Sequence, residues 1–95
     1  MRDYCYLNTT KMVELSEKLE GSEIKMLFAI IYCLNDSDSG WFVNNAENRA
    51  KIAQAGFSKT PERISAILGA MVKKEVLKRE ANGVYSLPEE LFIVP

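Results

Sequence analysis

The feature that most constrains this chain is the run "TPERISAILGAMVKKEVLKREANGVYSLPEELF" over residues 60–92. A helix start, a helical apolar stripe, a tight-turn dipeptide and a proline stop follow in immediate succession. Thr60 is the kind of residue whose side-chain oxygen accepts from the first unpaired N–H groups of a helix. Pro61 falls at the first helical position, where its missing N–H is no loss. Ile64, Ile67, Leu68, Met71 and Val72 then recur at spacings of three and four, which predicts a helix to about residue 74 with those five side chains toward a core. Lys59, Glu62, Arg63, Ala66 and Ala70 fall on its opposite side.

Asn82-Gly83 is a hairpin signal, and the register around it has two solutions. A two-residue turn sets Tyr85 across from Glu80 and Leu87 across from Lys78, mixing charged and apolar residues on each face. A three-residue loop, Ala81-Asn82-Gly83 with Gly83 left-handed as a bulge, sets Leu77 across from Leu87 and Arg79 across from Tyr85. The second is expected, because the first leaves no face that buries well. Pro88 ends the strand, and "PEELF" predicts a helical turn returning Leu91 and Phe92 to the core.

Upstream, Asn45 is a suitable cap for a helix "AENRAKIAQA" that Gly56 terminates, and "WFVN" before it is long enough only for a strand. "NDSDSG" is a loop by composition. Ser22 as N-cap and Glu23 in the first turn predict a helix through "IKMLFAIIYCL" to about residue 35. Ile24, Leu27, Phe28, Ile31 and Leu34 form one stripe, and Met26, Ile30 and Cys33 carry apolar character to the next face. Such a helix is buried on most sides and central to a core. Met12, Leu15 and Leu19 predict a first helix over about residues 10–20, closed by Gly21.

Ninety-five residues, 47% of them hydrophobic, suit one domain over 1–95 with an N-terminal helical extension at about 8–20. The longest apolar run falls far short of the ~20 residues that span a bilayer, and the N-terminus lacks the pattern of a secretory signal. A cytoplasmic chain without a membrane partner is expected. Its two cysteines then stay reduced, with Cys33 a buried apolar thiol, and the Asn8-Thr9-Thr10 glycosylation match is chance. The chain has no histidine, no phosphate-binding glycine loop and no nucleophile motif. No enzyme activity, metal or cofactor is expected.

Charge is unevenly placed. Residues 1–48 hold four Lys/Arg and eight Asp/Glu, residues 49–79 hold eight and two, and residues 80–95 hold none and three. The net −1 therefore hides a basic block: Arg49, Lys51, Lys59, Arg63, Lys73, Lys74, Lys78 and Arg79. The element order is helix, helix, short strand, helix, helix, hairpin. From Ser22 onward this is a winged helix-turn-helix: α+β, mostly helical, with a small antiparallel sheet made of the short strand and the C-terminal hairpin wing. The basic block lies on the elements that such a domain turns toward double-stranded DNA.

From about residue 6 to residue 92 the chain resembles the RepL-type plasmid replication proteins of Gram-positive bacteria. The likeness is carried by "KIAQ" before the turn, Ser58 and Thr60 flanking the second helix of the motif, "VLKR" leading into the hairpin, and above all "NGVYSLPEELF". It implies a winged-helix fold and, less specifically, replication initiation on a plasmid or mobile element. A transcriptional regulator, or a protein-docking module without DNA affinity, would use the same fold.

In the DNA-binding reading, the helix from Thr60 enters the major groove by its N-terminal half. Lys59 and Arg63 contact guanine edges or phosphates, Ser58 and Thr60 bond to phosphate, and Glu62 accepts from a cytosine amino group. Ala66 and Ala70 leave room for the groove wall. Lys78, Arg79 and Asn82 reach the flanking backbone or minor groove from the wing, and Arg49, Lys51 and Lys73 complete the basic surface. The acidic first helix and the multi-faced apolar second helix suggest a homodimer.

Overall fold

A computed structural model of the chain describes residues 6–34 and 41–93. The expected loop "NDSDSG" and Cys5 lie outside these residues. Along the chain run β1 (Tyr6–Leu7), α1 (Thr9–Ser16), α2 (Gly21–Leu34), β2 (Trp41–Val43), α3 (Ala46–Gln54), α4 (Pro61–Lys73), β3 (Lys78–Ala81), β4 (Val84–Ser86), a 3-10 turn (Glu89–Leu91) and β5 (Phe92–Ile93). The sequence α2-β2-α3-α4-β3-β4 is the winged helix-turn-helix order. Its three-stranded antiparallel sheet is ordered β2-β4-β3. No helix among the described residues is long and apolar enough to cross a membrane.

The first two helices depart from expectation at their junction. Asn8 caps α1, its Oδ1 accepting the Lys11 N–H at 3.1 Å. α1 ends at Ser16, about four residues early, and a tight turn bonds the Lys18 and Leu19 N–H groups to the carbonyls of Leu15 and Ser16. Gly21 does not close this helix but opens α2. The Glu20 carbonyl accepts from the Glu23 and Ile24 N–H groups, and the Glu23 carboxylate accepts the Glu20 N–H at 2.8 Å. That is the acidic half of a capping box. Ser22 lies inside the first turn and is not the cap.

α2 packs against α3, α4 and β2, burying Met26, Leu27, Ala29, Ile30, Ile31, Cys33 and Leu34. Phe28, expected in the core stripe, is instead half exposed, and Ile24 is only partly buried. Burial centres on the Met26-Ile30-Cys33 side, so the buried arc is rotated away from Phe28. The Cys33 thiol lies 3.5 Å from Asn48 Oδ1 on α3.

Asn45 caps α3 as expected, accepting the Asn48 N–H at 2.8 Å. The helix closes with a Schellman motif around Gly56, at φ +96°. The Gly56 N–H bonds to the Ala53 carbonyl and the Phe57 N–H to that of Ile52, and the Ile52 and Phe57 side chains are both buried. α4 begins as expected, with Thr60 Oγ1 accepting the Arg63 N–H at 3.2 Å and Pro61 at the first position. Ile64, Ile67, Leu68 and Met71 are buried, and Val72 partly so. α4 closes with the same motif as α3: Glu75 N–H to Val72 carbonyl and Val76 N–H to Met71 carbonyl, with Glu75 at φ +62°.

In the hairpin, Arg79 faces Tyr85 as expected and Gly83 is left-handed, at φ +74°. The extra residue sits elsewhere: Ala81 pairs with Val84 around Asn82-Gly83, and the register shifts at Glu80 within the strand. Arg79 and Ala81, two apart, therefore point to opposite faces of the sheet. Leu77, Leu87, Tyr85 and Phe42 are buried.

The 3-10 turn buries Leu91 completely, but Phe92 leaves it as a strand residue paired with Leu7 in the β1-β5 ladder. This ladder has no counterpart in the sequence reading.

Candidate nucleic-acid interface

The Gly56 reversal and the Phe57 plug determine what the helix-turn-helix exposes. With Phe57 drawn into the core, Ser58, Lys59 and Thr60 stand in solvent ahead of α4, and Glu62, Arg63 and Ala66 continue the exposed face. Thr60 uses its oxygen to cap the helix, which leaves its O–H proton to donate outward. Farther along, Gly69 and Ala70 are half-buried and Lys73 is exposed.

This face borders a groove between α4 and the hairpin, lined by Ala66, Gly69, Ala70, Val72, Lys73 and Arg79. Its helix side is low, since a Cβ placed on Gly69 would meet nothing within 4 Å. Small residues with cations at both ends allow close approach of a polyanionic chain.

The basic block divides by the company each cation keeps. Lys59, Arg63 and Lys73 are exposed and have no ion pair among the described residues. Arg79 is held over the Tyr85 ring, 5.7 Å from its centroid, with Nη2 3.5 Å from the tyrosine hydroxyl. Lys78 is largely exposed, 3.5 Å from Glu80, and Asn82 sits at the exposed tip.

The others are turned to internal work. Lys51 lies 4.0 Å from Glu47 one helical turn away. Arg49 is half-buried and donates to Asn44 Oδ1 at 3.1 Å, while Asn44 donates to Ser65 Oγ at 3.2 Å. That chain ties α3 to α4 through the end of β2. Lys74 donates to Glu23 Oε1 at 2.6 Å, an ion pair between α4 and α2.

Burial pushes the Glu23 carboxyl up, but the Lys74 hydrogen bond, the Glu20 N–H and the Lys74 charge together hold it below its ordinary value. Glu23 and Lys74 are 51 residues apart. The sequence signals Glu23 only as a first-turn acid and Lys74 only as one more base. Nor does the sequence mark Asn44, the bridging residue, beyond its position just after a strand.

No protein-family model, no curated protein and no solved structure matches the chain. The resemblance to RepL-type proteins rests on the short motifs quoted above.

Proposed function

We propose that the protein binds double-stranded DNA with α4 in the major groove and the β3-β4 hairpin against the flanking backbone. The observation that carries this reading is the outer face of α4, where Lys59, Arg63 and Lys73 stand without ion pairs among the described residues, around a floor of small residues. Arg63 and Lys59 reach base edges or phosphates, Ser58 and Thr60 donate to phosphate, and Glu62 accepts from a cytosine amino group. Lys73, Lys78, Arg79 and Asn82 hold the backbone on the hairpin side. Arg49 supports the interface from behind through Asn44, and Lys51 lies at its edge. What the RepL-type resemblance implies is bound sites at a plasmid or mobile-element origin, and a transcriptional regulator of the same fold would bind promoters instead; duplexes selected from a random pool separate the two roles.

Titration of a labelled duplex across a salt series tests the reading. Five cations, Lys59, Arg63, Lys73, Lys78 and Arg79, are expected to give a log–log slope of about −4 to −5, at about 0.9 per phosphate neutralised. Arg63→Ala should relax preference at one base position, whereas Lys78→Ala with Arg79→Ala should weaken all duplexes alike and flatten the slope by about two. A folded protein with no duplex affinity at low salt would overturn the proposal.

A further inference from the structure

α2 is enclosed by the rest of the molecule along all but one narrow line. Its exposed residues are Gly21, Lys25, Phe28 and Tyr32, at spacings of four, three and four. Phe28 is 52% exposed and Tyr32 45%, and each stands one turn from the next. α2 meets α3, α4 and β2, and its buried residues centre on the side opposite this line. Val13 on α1 and Trp41 and Val43 on β2, the other large exposed apolar side chains among the described residues, are not on it.

We propose that this line is the contact with a second copy of the chain, α2 against α2 in antiparallel fashion about a two-fold axis. The occupant is indicated by self-complementarity. An isologous contact requires that residue i meet j while j meets i. At about 1.5 Å rise per residue, Lys25 lies about 4.5 Å before Phe28 and Tyr32 about 6 Å after it. A two-fold axis beside Phe28 thus brings Phe28 onto its own copy. It also sets Lys25 level, within about 1.5 Å, with Tyr32 of the second copy, and the reverse.

Each protomer then supplies a cation for the other's tyrosine ring, and the two phenylalanines stack between these pairs. A parallel pairing would set Lys25 against Lys25 and lose both cation–ring contacts. The contact uses none of the residues assigned to DNA, so the dimer goes beyond the DNA-binding reading and stands whether or not the chain binds DNA.

Sedimentation equilibrium of the full chain without DNA, to millimolar concentration, tests the contact. The expected result is a concentration-dependent monomer–dimer mixture. Phe28→Glu should weaken the dimer by more than about tenfold while melting stays unchanged, because the side chain is half exposed. Lys25→Glu should weaken it about fivefold by setting an anion against the tyrosine ring. Adding Tyr32→Lys to Lys25→Glu should restore it, since the swapped pair again joins opposite charges. A chain that stays monomeric throughout would overturn the proposal, as would a dimer indifferent to Phe28→Glu or a double variant weaker than Lys25→Glu alone.

Discussion

α3 and α4 close with the same two hydrogen bonds but with different residues at the left-handed position: glycine at Gly56, glutamate at Glu75. At Gly56 the conformation is free of the Cβ clash, and the next residue, Phe57, is buried against Ile52. At Glu75 the same backbone carries a side chain that costs about 1–2 kcal/mol in that region. Two anchors hold it there: Val76 fully buried on one side, and the Lys74–Glu23 ion pair on the other. The helix-turn-helix reversal is therefore local in origin. The turn from α4 into the hairpin is imposed by contacts distant in sequence.

The largest expected effect is at the local turn. Phe57→Ala should lower stability by about 3–4 kcal/mol in urea unfolding, because it empties a fully enclosed site beside Ile52. At the distant turn, Lys74→Ala leaves the Glu23 carboxylate buried with only the Glu20 N–H, and should cost about 2 kcal/mol at pH 7, less than a wholly buried pair because Lys74 is partly exposed.

The pH dependence has a definite sign. Glu23 titrates lower in the folded protein than in the unfolded chain, so the stability that it supplies is present above its unfolded pKa, about 4.3, and is lost as pH falls through the folded value. The Lys74→Ala deficit should therefore shrink when unfolding is repeated near pH 3, whereas the Phe57→Ala deficit should not. Equal deficits at both pH values would remove the ion pair from the account.

Smaller effects compare the left-handed residues directly. Gly56→Ala should cost about 1 kcal/mol even though the added Cβ meets nothing within 4 Å, because the strain is in the backbone. Glu75→Gly should gain about 0.5 kcal/mol, relief of strain outweighing the greater freedom of the unfolded chain. Calorimetric melting of both variants is enough to check this. If both are neutral, the two helix ends differ in sequence only.

The same division governs what the sequence makes legible. Asn45, Gly56 and Thr60-Pro61 act within a few residues of themselves, and each marks the boundary expected of it. Asn82-Gly83 marks the turn, but as a two-residue loop in place of the expected three, because the extra residue falls at Glu80 within the strand. Glu75 carries no such mark. At the start of α2, Gly21 and Ser22 imitate a stop and a cap, while the operative pair is Glu20 and Glu23. Phe28 fits the apolar period of α2 as well as Ile30 does; only the positions of α3, α4 and β2 decide between them.

The candidate interface followed the same pattern. The basic block on α4 and the hairpin is readable from charge. Which of its cations remain outward is not, because Arg49 and Lys74 have partners on other elements.

The β1-β5 ladder has a consequence in time. It joins Leu7 to Phe92, and the Asn8 N–H to the Leu91 carbonyl at 2.8 Å, so it closes a loop containing nearly the whole described chain. Two-residue strands have too few bonds to offset the entropy of closing such a loop unaided. They meet only after the helices and three-stranded sheet have brought the chain's two ends together, which makes this ladder the last to form and the first to open. Its amides should exchange with solvent by local fraying, far faster than those of α2.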